Sequence, residues 1–443
     1  MKQILWFRRD LRIRDNKILE KASHKVMPIF IFDKNILDKL NFDDKRVSFI
    51  YDAVLALKKS LQDLGLDLYI FYDTPKNVFK ELVTLGFDEV LCSVDFDKYS
   101  KTRDKEITSI IPMKSYLDSF LINPNRNLKK DGTPYKVFTP FYKSLFWLSS
   151  SFQIGESTIN PNLKLYKYEK DIPTIKELGF KKVQLPKILR KTADQRLEEF
   201  KLKLENYEEN RDIFYKDGTS NLGLDLRFGT ISSKIIFNEI KRLNIKNSDI
   251  FIRQLFWREF YSYILFHFPK SENENWNGIK INWNRSEEDF QKWCDGKTGI
   301  PLIDAAMKHF NKTGMMHNRL RMIVSSFLCK NLLIDWKKGE QYFAKRLLDY
   351  EASSNIGSWQ WAASTGADSV PYFRIFNPYL QSAKFDKEAL FIKSVIPELK
   401  DVNAKLIHKE GALKDIYITP IVDIKYSRNR AIKVFKEAKN AKV

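Results

Sequence analysis

Through the first third of the chain, short apolar runs alternate with segments whose apolar residues recur every three or four positions. Residues 3–7, 26–32, 66–71 and 89–94 are short, apolar and rich in branched and aromatic side chains, the pattern of buried strands. Between the second and third of these, residues 46–64 place Val47, Ile50, Val54, Leu57, Leu61 and Leu64 at spacings of three and four. That makes one apolar stripe along a helix. Pro75 opens a further helix, where its missing N–H costs nothing, and Gly86 closes it. Strand–helix alternation predicts a parallel sheet with right-handed crossovers. No G-x-G-x-x-G follows the first strand, so the ordinary dinucleotide fingerprint is absent.

Residues 126–190 lose this order. Scattered Pro, Asn and Lys predict a linker with some helical pieces. From residue 191 the texture becomes helical. Pro301 starts a helix whose inner face carries Leu302, Ile303, Ala306 and Phe310, and Gly314 ends it. Helical patterns follow over 315–333 and 341–351. The expected organisation is an α/β domain over 1–125, a linker over 126–190, and an all-α domain over 191–443.

The net charge of +20 fits a polyanion partner such as nucleic acid, or simply a basic protein. The three cysteines, Cys92, Cys294 and Cys329, lie far apart, which points to a reducing compartment and away from a structural metal. The opening MKQILWFRRDLR lacks a signal-peptide core, and no apolar run is long enough to span a membrane. A cytoplasmic protein is expected. None of the five histidines has metal-ligand spacing with another His or Cys. Hydrolase readings find no local support.

The unusual polar placements fall in the helical half. Gln254, Trp257, Arg258 and Tyr261 share one helical face. That face suits either a snorkelling amphipathic helix or a pocket wall that stacks on a flat ligand. In Met316–Met322, Asn318 and Met322 share a face with Arg321 beside it. Arginines among apolar neighbours need partners, and Asp349, Glu351 and Asn355 offer them. An Arg321–Asp349 pair is expected, as structure or as site. In Gly218-Thr219-Ser220-Asn221-Leu222-Gly223, small and hydroxyl residues suit either a phosphate loop or an ordinary turn. Trp359 and Trp361, two apart on a helix, point about 200° from each other. They cannot share one job: one faces inward and the other toward an open pocket. Trp336 and Trp283 add large aromatics. Residues alone leave a flavin oxidoreductase open as well.

WFRRDLRIRDN, WREFY, KTGIPLIDAAM, MHNRLRM and NIGSWQWAASTGADSVPYFRIFNP resemble, in this order, the DNA photolyase and cryptochrome flavoproteins. The resemblance runs from Trp6 to PIVDIKYSRNRA, and bacterial class I cyclobutane pyrimidine dimer photolyases are the nearest match. It implies an α/β antenna domain, a linker and a helical FAD domain. Tyr207, Thr219, Ser220, Asn221, Leu222 and Gly223 would hold FAD. So would Asn318, Arg321, Asp349, Glu351 and Asn355, with Asn355 near flavin N5. Trp359, Trp336 and Trp283 match an electron-hopping chain. Gln254, Trp257, Arg258, Asn318, Arg319, Met322, Trp361 and Gln381 match positions that meet the lesion or its DNA, with Gln254, Asn318 and Asn355 closest to the chemistry. Damaged DNA is the implied partner, bound by a monomer. A second antenna chromophore of undetermined identity is also implied.

This chain departs from the family in places. The family's loop often reads Ser-Arg-Leu-Ser, so Asn221 and Gly223 remove a cation and a hydroxyl. Glu351 stands where Asp is frequent. Position 254 is commonly Glu in dimer photolyases and is Gln here, as in some (6-4) photolyases and cryptochromes. The two histidines of (6-4) enzymes fall at Asn318 and Met322. The missing histidines favour the cyclobutane dimer as substrate. Asn355 and the lack of a long tail favour repair over cryptochrome-type signalling.

Overall fold

The computed structural model describes residues 1–151 and 155–441. The chain packs into two compact units. The first comprises Met1–Pro134, Pro140–Leu202 and Ser220–Glu259, and the second Tyr135–Thr139, Lys203–Thr219 and Phe260–Val443. Compactness therefore crosses the expected sequence boundaries. The first unit takes in most of the segment read as linker, and also the first half of the helix Ser248–His267.

In the first unit, β1 (Lys2–Phe7), β2 (Lys25–Asp33), β3 (Tyr69–Asp73), β4 (Glu89–Ser93) and β5 (Met113–Tyr116) form a parallel sheet in the order β3-β2-β1-β4-β5. A two-residue β6 (Lys164–Leu165) pairs with the start of β2. Four strands lie where the apolar runs placed them. The third begins three residues late, because Leu66–Leu68 is a turn tied back to the preceding helix. The Leu66 N–H donates to Leu61, and Asp67 accepts from Lys58 at 2.6 Å. β5 carried no signal, since Met-Lys-Ser-Tyr is mostly solvent-facing. In the helix Lys45–Gln62, Val47, Val54, Leu57 and Leu61 are buried and Ile50 is half-buried. Leu64 lies beyond its end and is exposed, a correction to the stripe.

The strand order reverses between β1 and β4, where open α/β sheets hold ligands on glycine loops. Here ion pairs fill the strand ends. Arg8 reaches the Ser93 carbonyl and Asp104, while Arg9 and Arg103 reach Asp95 at 3.1 and 3.4 Å. Against the cost of its burial, Arg9, Arg8 and Arg103 hold the Asp95 carboxyl below the usual range. Arg8 and Arg103 also stack on Trp6, at 4.7 and 4.8 Å. This arrangement accounts physically for the missing glycine fingerprint.

The second unit is built of helices around one apolar core. Pro301–Thr313 buries Leu302, Ile303, Ala306 and Phe310, and Gly314 closes it at a left-handed φ of 74°. Two expected helices begin and end elsewhere. Residues 315–333 hold the helix Asn318–Ser326 and then a wide turn over Phe327–Asn331. The pattern over 341–351 belongs to Trp336–Arg346, which Asp335 caps by accepting from the Lys337 N–H at 3.1 Å. The next helix needs Glu351 outside it as a cap, so the chain must break first.

Candidate functional site

In the second unit, His317 caps the helix Asn318–Ser326. Its Nδ1 accepts from the Arg319 N–H at 3.1 Å. Burial holds the imidazole pKa down to about 4, with Asp212 opposing, so the ring stays neutral and keeps its cap. From this helix Arg321 donates to both oxygens of Asp349, at 3.0 and 2.8 Å, and to the Met316 carbonyl at 2.8 Å. The expected pair is present, and it is only partly buried. The Asn318 amide nitrogen lies 3.7 Å from the Met322 sulfur. Arg319 forms a two-point pair with Asp212, at 2.6 and 3.2 Å, and stacks on Phe385. Its guanidinium is therefore tied to the protein.

The helix Ala352–Ala362 supplies the next residues. Glu351 caps it, accepting from the Ser353 and Ser354 N–H groups and the Ser353 hydroxyl, at 2.5–3.1 Å. That carboxylate thus holds up the helix that carries Asn355. Asn355 is 9% exposed, and its amide nitrogen donates to Glu340 Oε1 at 3.0 Å. Burial pushes the Glu340 carboxyl up. Trp359 is 2% exposed, whereas Trp361 is half-buried, the divergence that helical spacing requires. The Trp359 ring packs edge-on to Phe343 at 5.1 Å and to Trp293 at 6.1 Å. Trp336 is buried and donates its indole N–H to Asn275 at 2.8 Å. Trp283 is half-buried and meets Phe435 edge-on at 5.8 Å. Tyr207 is buried beneath Arg211, and Gln381 is half-buried on the helix Pro378–Phe385.

The remaining candidates belong to the first unit, apart from Gly218 and Thr219. On Ser248–His267, Gln254, Trp257 and Arg258 are half-buried, while Leu255, Phe256 and Glu259 behind them are buried. The Gln254 amide donates to Ile250 one turn back, at 3.1 Å. Arg258 donates to the carbonyls of Ser119 and Leu226 at 3.3 and 3.4 Å. In the loop, a Cβ on Gly218 would lie 2.6 Å from the Asn210 carbonyl oxygen, so glycine is required there. Asn221 adopts a left-handed φ of 55°, and the helix Gly223–Phe228 begins directly after.

The family model for the FAD binding domain of DNA photolyase matches residues 251–437, and the DNA photolyase model matches residues 3–151. A deoxyribodipyrimidine photo-lyase of Alkalihalophilus pseudofirmus is 35% identical, over 98% of this chain and 97% of its own length. The chain belongs to the DNA photolyase family. A crystal structure of a bacterial class III photolyase from Agrobacterium tumefaciens superposes with a TM-score of 0.85 at 32% identity, covering 99% of this chain and 98% of that one. An archaeal photolyase from Sulfolobus tokodaii with two FAD molecules gives 0.85 at 31% identity, covering 99% and 100%.

As a photolyase the chain carries the family's FAD-binding domain, and its side chains fit that cofactor. Asn318, Arg321, Asp349 and Asn355 put amide donors and acceptors, a cation and an anion at partly open positions on the second unit. Gly218 keeps the loop free of a side chain.

Sequence reasoning missed several supporting residues. Glu259 is 2% exposed and accepts from the Leu121 N–H at 2.9 Å; burial pushes its carboxyl up to about 7. A lone acid on an otherwise apolar helical face was its signal. Gln360, buried between the two tryptophans, accepts from the Trp276 N–H and donates to Ser271 and Glu274. Asp212 and Glu340 carried no signal, because their partners lie 107 and 15 residues away. The first unit also encloses a cavity of about 830 Å³, walled by Leu11, Phe49, Ala53, Leu57, Leu189 and Ile231. Among the described residues, no helix is long and apolar enough to cross a membrane.

Proposed function

We propose that this photolyase uses reduced FAD and blue light to split cyclobutane pyrimidine dimers in DNA, acting as a cytoplasmic monomer. The observation that carries the reading is the helix Ala352–Ala362, which buries Trp359 and leaves Trp361 half open two residues later. One aromatic is then available to an internal cofactor and the other to a base drawn from the stack.

FAD, when bound and reduced, supplies a light-activated electron donor. The protein's residues do the rest. With its nitrogen committed to Glu340, the Asn355 amide offers its oxygen. That acceptor suits a ring N–H that only the reduced flavin carries. Glu351 holds Asn355 in place through the helix cap. Arg321 and Asp349 offer a paired donor and acceptor, and Thr219 to Gly223 would lie on the phosphates. Any second chromophore would find room in the first unit's cavity, which is of ligand-binding size.

Extruding the damaged pair costs a few kcal/mol, less than for intact bases. Stacking on Trp257 and Trp361, worth roughly 1–3 kcal/mol per base, would offset it. Lysines and arginines would supply sequence-independent affinity for phosphates. Asn318 and Met322 cannot deliver a proton near neutral pH as imidazole can. Dimer splitting needs only an electron and its return, so the cyclobutane dimer is the substrate this pocket suits.

The test is a purified, anaerobically reduced protein mixed with an oligonucleotide holding one thymine dimer. Blue light should restore the thymines on chromatography, and darkness should not. A flavin-bearing protein that repairs neither lesion type would move the chain to cryptochrome-type signalling.

A further inference from the structure

The tryptophan chain implied by the resemblance leaves Trp359 by one route, through Trp336 and Trp283. The packing around Trp359 offers another. Its ring meets Trp293 at 6.1 Å and 72°, and Trp293 in turn meets Tyr342 at 5.7 Å and 65°. Phe343 fills the corner, 5.1 Å from Trp359 and 6.1 Å from Trp293. Trp293 is fully buried and Tyr342 is half-buried. These contacts make a continuous aromatic path from the core toward solvent, built of two oxidisable rings beyond Trp359.

We propose that Trp293 and Tyr342 form a second exit for the electron hole left on Trp359. The proposal rests on Trp359 being the first donor to the cofactor.

The step balances as follows. Light-excited oxidised flavin is the electron acceptor, and Trp359 loses one electron to it. Trp293 passes one electron to the Trp359 radical cation. Tyr342 passes one electron to Trp293 and its phenolic proton to water. An added thiol then returns a hydrogen atom to the phenoxyl radical and becomes a thiyl radical.

The surroundings favour this direction. The Trp293 indole N–H donates to the Val324 carbonyl at 3.2 Å in the core. A carbonyl cannot take that proton, so the hole is not trapped there. The Tyr342 hydroxyl lies within 2.7 Å of Asn311 Oδ1 at an exposed position, and 3.0 Å from the Cys294 carbonyl. Arg346 stacks on the tyrosine ring at 3.9 Å. A guanidinium there opposes a radical cation and favours loss of the proton with the electron. Burial pushes the phenol up to about 12, which keeps the proton in place until oxidation.

The test uses the full-length FAD-loaded protein, with the cofactor oxidised, a thiol present and blue light on. Light-induced electron paramagnetic resonance reads the radicals, and absorbance reads flavin reduction. Trp336→Phe should keep a residual reduction rate and show a tyrosyl signal that ring-deuterated tyrosine narrows. Adding Tyr342→Phe should remove that signal and cut the residual rate at least about fivefold. Trp336→Phe/Trp293→Phe should do the same. Because Trp293 is buried and its loss strains the fold, Tyr342→Phe, which deletes one hydroxyl, carries the decision. No tyrosyl signal in Trp336→Phe, or one that survives Tyr342→Phe, overturns the branch. Trp359→Phe should abolish both routes. Wild-type reduction in that variant would overturn Trp359 as first donor, and the branch with it.

Discussion

Gly339 sits inside the helix Trp336–Arg346, where glycine ordinarily costs about 1 kcal/mol relative to alanine. Its retention has a visible cause. A Cβ at this position would lie inside contact with Trp359 Cη2, 2.5 Å from Trp359 Cζ3 and 2.6 Å from Leu328 Cδ2. Carbon atoms prefer roughly 3.5–4.0 Å, so Gly339→Ala must push the indole aside by about 1 Å. Overpacking of this kind costs about 1–3 kcal/mol, against the roughly 1 kcal/mol that alanine returns to the helix. The net expectation is a loss of about 0–2 kcal/mol, read as a lower urea midpoint at unchanged slope. Light-driven reduction of bound, oxidised FAD should slow as well, because the displaced ring is the first donor. A variant that gains the full helical increment and photoreduces at the wild-type rate would refute the idea that Gly339 exists to seat Trp359.

Other outcomes follow from the same reasoning. Glu259 is raised in the folded state from an ordinary 4.5 to about 7 by burial. Its contribution is therefore fully present below pH 4.5 and lost as pH rises through 7, by up to about 3 kcal/mol. Glu259→Gln should flatten this slope in urea unfolding measured from pH 4.5 to 8, and an unchanged slope would show that the carboxyl titrates normally. Trp257→Ala and Trp361→Ala should each weaken binding of dimer-containing DNA by about 1–3 kcal/mol in fluorescence titration and spare undamaged DNA. Equal loss on both DNAs would remove these residues from the flipped bases. Met322→His should not create (6-4) repair by product chromatography, whereas Gln254→Glu should keep or raise dimer repair. The opposite pair of results would reassign the substrate.

The parallel sheet was legible because four of its strands are continuous apolar runs, and Pro75, Pro301 and Gly314 marked helix ends by their backbone chemistry alone. The divergence of Trp359 and Trp361 was legible from helical geometry. The Arg321–Asp349 pair was legible from the cost of burying an arginine alone. Other features were not readable. Met113–Tyr116 forms a strand through backbone bonds to β4, which an exposed four-residue segment cannot announce. Glu351 looked like a ligand residue and is also a helix cap, because a carboxylate before Ser353 satisfies orphan N–H groups. Arg319 looked free for DNA, but Asp212, distant in sequence, takes its guanidinium. The contact of Trp293 with Trp359 spans 66 residues, and no local pattern encodes it.

The central claim is that light absorbed by the reduced flavin drives repair by this chain. Its most direct test is the action spectrum of dimer splitting by the reduced protein, scored as thymines restored per absorbed photon. The account predicts a spectrum that follows the absorption of the bound reduced flavin, falls to zero in the dark, and is absent for the (6-4) product. Dimer splitting in the dark, or a spectrum unrelated to the flavin, would contradict it.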